Sequence, residues 1–272
     1  MSAAGNREET KGSAAGRRSG RAGLSEHAKS EAREQSVRQK RSAGASAGKR
    51  CAGSGKTTES LRARKERACE IVRRLREEYP DTHCTLAYDE AWKLLVSVRL
   101  AAQCTDARVD QITPVLYAHF PTISALADAS EDAIEEIVRP CGLGRSKARD
   151  IKACMTMLRD AYGGEVPDTM EELLRLPGVG RKSANLVLGD IYGKPAIVTD
   201  THCIRLAGRM GLTDGEKDPY KVEKALLQLI PPEESNDFCH RLVDHGRAVC
   251  TARTAKPNCD ACCIAELCPK RF

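Results

Sequence analysis

The sequence predicts an all-α protein. From Thr58 onward apolar residues recur at helical spacing behind Ser, Thr and Asp residues suited to capping, and no segment sustains the period-2 alternation of a half-buried strand. A unit of helix, Gly-apolar-Gly turn and helix occurs twice, and the connections are mostly short, as in a compact bundle.

In chain order, residues 1–57 are mostly Ala, Gly, Ser, Arg and Lys with no aromatic residue, so they cannot bury enough apolar surface to offset ordering entropy. They read as a disordered basic tail: 13 Lys and Arg stand against 5 Glu, a net +8. The other 215 residues hold 31 basic and 33 acidic groups, a net −2. The tail should therefore add a salt-dependent, sequence-independent term to any nucleic-acid binding. Gly53-Ser54-Gly55-Lys56-Thr57 ends like a phosphate loop, but Arg50 stands where the motif needs its first glycine. That excludes a nucleotide site of this kind. A capped, charged helix runs from Thr58 and Ser60 to Tyr79-Pro80. Residues 89–103 carry Trp92, Leu94, Leu95, Val96, Val98, Leu100 and Ala101, apolar nearly all round, and predict a central buried helix. Further helices are predicted at 108–118, 131–138, 145–161, 169–176, 181–192, 201–210, 218–229 and 233–248.

Composition limits the function. Hydrophobic residues are 41% and charged residues 30%, which suits a globular body. No apolar run approaches the ~18 residues of a membrane helix. Thirteen cysteines would suit a secreted disulfide scaffold, but the N-terminus has no apolar core of a signal peptide. The cysteines point instead to metal, and the expected setting is cytoplasmic.

The repeat aligns 137–151 (IVRPCGLGRSKARDI) with 173–187 (LLRLPGVGRKSANLV), and five of the fifteen positions are identical. In the second copy Pro177 ends a short helix, Gly178-Val179-Gly180 turns tightly, and Arg181 opens the next helix. The N–H groups of Gly180 and the first helical residues are left without intrahelical acceptors and point outward, a ready site for a DNA phosphate. Lys182 sits in that first turn, where the positive end of the helix dipole disfavours an ammonium and so suits an amine nucleophile. The first copy has Ser146 there, with Lys147 one residue later. Asp200, within Val198-Thr199-Asp200-Thr201-His202, is placed to cap a helix, or to face Lys182 as a proton-handling carboxylate. His202 reads as structural or phosphate-contacting.

Near the C-terminus, Cys250, Cys259, Cys262 and Cys268 follow a C-x8-C-x2-C-x5-C spacing that can surround one metal centre, either an iron–sulfur cluster or a structural zinc. Spacing alone leaves open a register that uses Cys263 in place of Cys262.

Together these residues resemble the endonuclease III family of DNA repair enzymes. The resemblance covers roughly residues 60–270 and rests on LAAQCTD (100–106), GLGRSKA (142–148), LPGVGRKSAN (176–185), TDTH (199–202), HGR (245–247) and the cysteine group. It implies a helix-hairpin-helix glycosylase fold with a six-helix barrel domain over 84–194. A cluster domain would be formed from 58–83 and 195–272. It implies a monomeric bifunctional glycosylase and abasic-site lyase, acting on oxidised pyrimidines in double-stranded DNA. By motif match Lys182 is the nucleophile and Asp200 the catalytic carboxylate. Gln103 and Leu143 fill the gap left by a flipped nucleotide. Gly178, Gly180, Arg181 and His202 meet DNA, and the four cysteines hold a [4Fe–4S] cluster that folds the C-terminal loop and presents the basic Arg247, Arg253 and Lys256 to phosphates. The first cysteine gap is eight residues where the family usually has six, so that loop must bulge. Two other readings are a monofunctional adenine glycosylase, which would lack Lys182, and a DNA-binding module without chemistry.

Overall fold

A computed structural model describes residues 59–252 and 257–271. The basic segment 1–57, Arg253 and Lys256 lie outside the described residues. Among the described residues there is no strand, and no helix is long and apolar enough to cross a membrane. The helices are α1 (Leu61–Glu78), α2 (Ala91–Ala101), α3 (Asp106–His119), α4 (Ile123–Asp128), α5 (Glu131–Val138), α6 (Gly144–Tyr162), α7 (Met170–Leu173), α8 (Arg181–Asp190), α9 (Thr201–Arg209), α10 (Pro219–Leu229) and α11 (Ser235–Ala248).

Local chemistry sets most boundaries. The side chains of Ser60, Thr105, Thr122, Ser130, Thr169, Asp200 and Asp218 each accept a hydrogen bond from an N–H in the first turn of the helix they precede. Each such cap is worth about 1 kcal/mol. Two helices differ from the sequence expectation. The short α4 was not predicted, because six residues hold too few turns for a periodic signal; its Thr122 cap was the available sign. Helix α7 is one turn rather than the predicted 169–176. Past Leu173 the chain tightens into i→i+3 bonds, Arg175 to Glu172 and Leu176 to Leu173, because Pro177 disfavours α geometry at the residue before it.

The central helix is α2, with Leu94 and Leu100 fully buried. It packs on α3, α6 and α8, while α4 and α5 pack on α6. A second group joins α1, α10 and α11, with α9 on α11. Helix α8 touches both α2 and α11 and so links the groups. Its far end is tied to α11 by Asp190, whose Oδ1 accepts from Asn236 Nδ2 at 2.7 Å and lies 2.8 Å from His240 Nε2. Burial acts to raise the Asp190 carboxyl, but those two partners and the Cys84 thiol outweigh it and hold it low.

Candidate active site and cysteine cavity

The second hairpin has the predicted form. Leu173, Leu176 and Ala184 are buried, and half-buried Val179 packs against the core. Gly178 has φ +76°, and a Cβ there would lie 2.9 Å from Asp150 Cβ and 3.1 Å from Arg99 Cδ. Both its conformation and its packing therefore require glycine. Gly180 is different: its φ is −98°, and a Cβ would meet nothing within 4 Å. Nothing inside the protein demands a glycine at that position.

The first hairpin repeats these letters with another backbone. Gly142 matches Gly178 in φ, at +73°, but Leu143 adopts the left-handed conformation at φ 53° and is 55% exposed. Gln103, in the turn after α2, is also exposed and also left-handed, at φ 57°. Only three non-glycine residues among those described have positive φ, the third being Lys270. Backbone strain of this kind gathers at functional sites.

Lys182 is exposed in the first turn of α8. Asp200 caps α9, with Oδ1 accepting from Cys203 N at 2.7 Å and Oδ2 3.2 Å from His202 Nδ1. Burial acts to raise the Asp200 carboxyl. The bonds from His202 and the Cys203 N–H, with the charges of His202 and Lys182, more than offset this and hold it below the usual carboxylate range. Asp200 is thus an ionised carboxylate within electrostatic reach of the Lys182 amine. The cap on α9 is formed, and the same carboxylate senses the charge of Lys182.

The extended segment before Asp200 is held by three hydrogen bonds, one from α8 and two to α11. Asn185 Nδ2 donates to Ile197 O at 3.0 Å, Ala196 N donates to Ser235 Oγ at 3.0 Å, and Val198 N donates to Cys239 Sγ at 3.2 Å. Asn185 lies on the helix that begins beside Lys182, so one hydrogen bond couples the lysine's helix to the carboxylate's segment. Gly246 supports the same corner, since a Cβ there would lie 2.5 Å from His202 Cδ2. The glycine of the HGR motif thus gives the His202 ring room beside Asp200.

Two basic residues expected to meet DNA, Arg181 and Arg247, have partners within the chain. Arg181 pairs bidentately with buried Glu223, at 2.7 and 2.8 Å, and stacks on Tyr220. Arg247 donates to Asp106 Oδ2 at 2.7 Å.

Cys250, Cys259, Cys262 and Cys268 line one cavity with His245 and Ile264, and Cys263 does not line it. Burial pushes the Cys262 thiol up to about 12 and raises Cys268 as well, so thiolates there need a positive partner. Arg209 Nη1 donates to Cys250 Sγ at 3.3 Å. Burial lowers His245 to about 4, so its ring is neutral; it lies between Tyr79 Oη at 3.1 Å and Cys262 Sγ at 3.5 Å.

Comparison with known proteins gives these features their setting. The model of the HhH-GPD superfamily of base excision DNA repair proteins matches residues 96–232. The chain is 44% identical to endonuclease III of Synechocystis over 77% of its length and 94% of that protein. It belongs to the endonuclease III family. The Escherichia coli endonuclease III is 38% identical over 75% of this chain and 95% of its own. A solved non-covalent endonuclease III–DNA complex has a TM-score of 0.71 and 38% identity, covering 76% of this chain and 95% of that one. A trapped endonuclease III–DNA covalent intermediate also has a TM-score of 0.71 and 38% identity, covering 76% and 96%.

Two features of this endonuclease III-family chain were outside the reach of sequence reasoning. One is the Asp190–His240 tie. The other is Lys147, which is fully buried. Lys147 lies within the GLGRSKA stretch, but its burial and the Asp190–His240 tie each depend on a partner about 50 residues away, Leu100 and Asp190 respectively.

Proposed function

We propose that this chain is a base excision repair DNA glycosylase with AP lyase activity. It removes oxidised pyrimidines and cleaves 3′ to the abasic site through a Schiff base on Lys182. The observation that carries this reading is an exposed amine in the first turn after a helix-hairpin-helix turn, within electrostatic reach of an ionised Asp200.

C1′ of a stacked nucleotide is out of reach, so the damaged nucleotide swings out of the duplex, at a cost of a few kcal/mol. Gln103 and Leu143, exposed on strained backbone, fill the space it leaves. The Lys182 amine attacks C1′ and the C1′–N bond breaks, with the electron pair leaving on the base. Loss of the ring oxygen bond gives an imine between Lys182 and C1′. The imine acidifies the 2′ proton; its removal and departure of the 3′ phosphate complete β-elimination. Asp200 steadies positive charge at the sugar and assists proton movement. His202 orients Asp200. Phosphate is held by the N–H groups of Gly178, Gly180 and Arg181, while the Arg181 side chain braces the hairpin through Glu223. DNA lies between a barrel domain, 84–194, and a domain formed from 58–83 and 195–272.

The same reading gives Cys250, Cys259, Cys262 and Cys268 to a [4Fe–4S] cluster. Four thiols around one cavity fit it. The cluster supplies cross-linking of the C-terminal loop, and no step above passes through it. The protein acts as a cytoplasmic monomer on duplex DNA.

The test is borohydride trapping on duplex DNA with an abasic site. A lyase leaves a reduced covalent adduct. A monofunctional glycosylase or a simple DNA binder leaves none, and that outcome would overturn the reading. A second expectation concerns Gly180. Gly180→Ala should leave thermal stability nearly unchanged, because its Cβ meets open space and its φ is ordinary. It should weaken DNA binding by roughly tenfold, since a methyl there would hold the phosphate off the N–H groups. Binding isotherms with an uncleavable abasic analogue measure this directly.

A further inference from the structure

Lys147 lies four residues into α6 and is completely buried. An ammonium in the interior is costly unless it is hydrogen-bonded, and the positive end of α6 adds to the cost. Its Nζ donates to Leu100 O at 2.7 Å and to Cys141 O at 2.8 Å. The thiols of Cys104 and Cys141 lie beside it.

Both carbonyls belong to strained turns. At the end of α2, Cys104 N bonds to Ala101 O at 3.1 Å, one residue short of the α-helical pattern. That shift releases Leu100 O, which Lys147 takes. Three residues beyond Leu100 stands left-handed Gln103. Cys141 ends the short 3-10 turn Arg139–Cys141, and two residues beyond it stands left-handed Leu143. Left-handed non-glycine residues persist only where their surroundings over-determine them. One buried amine holds the roots of both.

We propose that Lys147 is a positioning residue for nucleotide flipping: it clamps the carbonyls of Leu100 and Cys141 and so sets Gln103 and Leu143 at a fixed separation, as one wedge. This rests on the reading that Gln103 and Leu143 fill the vacated space. No other contact of Lys147 is needed. The residue aligned with it in the second hairpin is Ser183, and that copy turns its apolar Val179 toward the core instead of outward.

The test uses full-length protein and Lys147→Met, which keeps the stem and removes the donors. Borohydride trapping is measured on duplex and on single-stranded abasic DNA, because only the duplex requires a wedge. Extrusion is read independently from 2-aminopurine fluorescence beside an abasic analogue. Duplex trapping and extrusion should fall at least roughly tenfold, the scale of a small misplacement, while single-strand trapping stays within about twofold. In a Gln103→Ala/Leu143→Ala background, Lys147→Met should change duplex trapping by less than about twofold, because the group it acts through is gone. Equal loss on both substrates, full multiplicative loss in the wedge-less background, or no loss at all overturns the proposal. Lys147→Gln, which keeps amide donors on a shorter arm, should be intermediate. Failure of both variants to yield soluble protein would mean a purely structural role and would also overturn it. If Gln103→Ala/Leu143→Ala itself leaves extrusion unchanged, the wedge reading fails instead.

Discussion

Lys182→Ala is expected to lose the borohydride-trapped adduct and strand cleavage together. The fall should be on the order of 10³-fold or more, as when other covalent nucleophiles are removed. The substitution should leave the fold intact. Lys182 is exposed, and the buried face of α8 is carried by Ala184, Asn185, Val187 and Leu188. Binding to an uncleavable abasic analogue should persist, because the hairpin grips phosphate through its backbone. A control lysine should be exposed and free of internal bonds, which Lys147 is not. Exposed Lys217 serves better, and Lys217→Ala should trap normally. If Lys182→Ala formed the adduct at the wild-type rate, the nucleophile would lie elsewhere and the monofunctional and binding-only readings would return.

The second large effect is expected at the cysteines. Purified protein should be yellow-brown, with about four irons per chain. Cys262→Ser should lose most of the iron and most of the soluble yield. Cys262 lines the shared cavity, and a structural metal group contributes its binding energy directly to folding. Cys263→Ser should keep both, because Cys263 stands outside that cavity; its carbonyl, which accepts from Arg74 at 3.2 Å, is untouched by the substitution. Iron and zinc analysis of the two variants decides the matter. One zinc and no iron in the parent protein would refute the cluster, and the reverse pattern of losses would exchange the two cysteines.

The helices were legible because their causes are local. Caps at Ser60, Thr105, Ser130 and Asp218, the apolar faces behind them, and the stop at Pro177 all act within a few residues. The hairpin and the cysteine group were legible for the same reason, being spacings along the chain. Where the local signal was short, as for α4, it was missed.

What the sequence by itself determined is therefore the all-α class, the two Gly-apolar-Gly turns, the amine in the first turn of α8, and the grouping of four thiols near the C-terminus. The tertiary structure alone decided which letters do the same work twice. It turned Leu143 outward and Val179 inward from equivalent positions. It took the Arg181 side chain for Glu223, brought Asp200 within reach of Lys182, set Gly246 against His202, and placed Cys262 rather than Cys263 on the shared cavity. It also buried Lys147, a residue that reads as surface charge, between two carbonyls that α2 and the first hairpin leave without backbone partners. The physical reason is the same in each case. A cap or a turn is satisfied by neighbours in the chain, whereas a buried donor, a close approach or a shared cavity is satisfied by groups that only packing brings together.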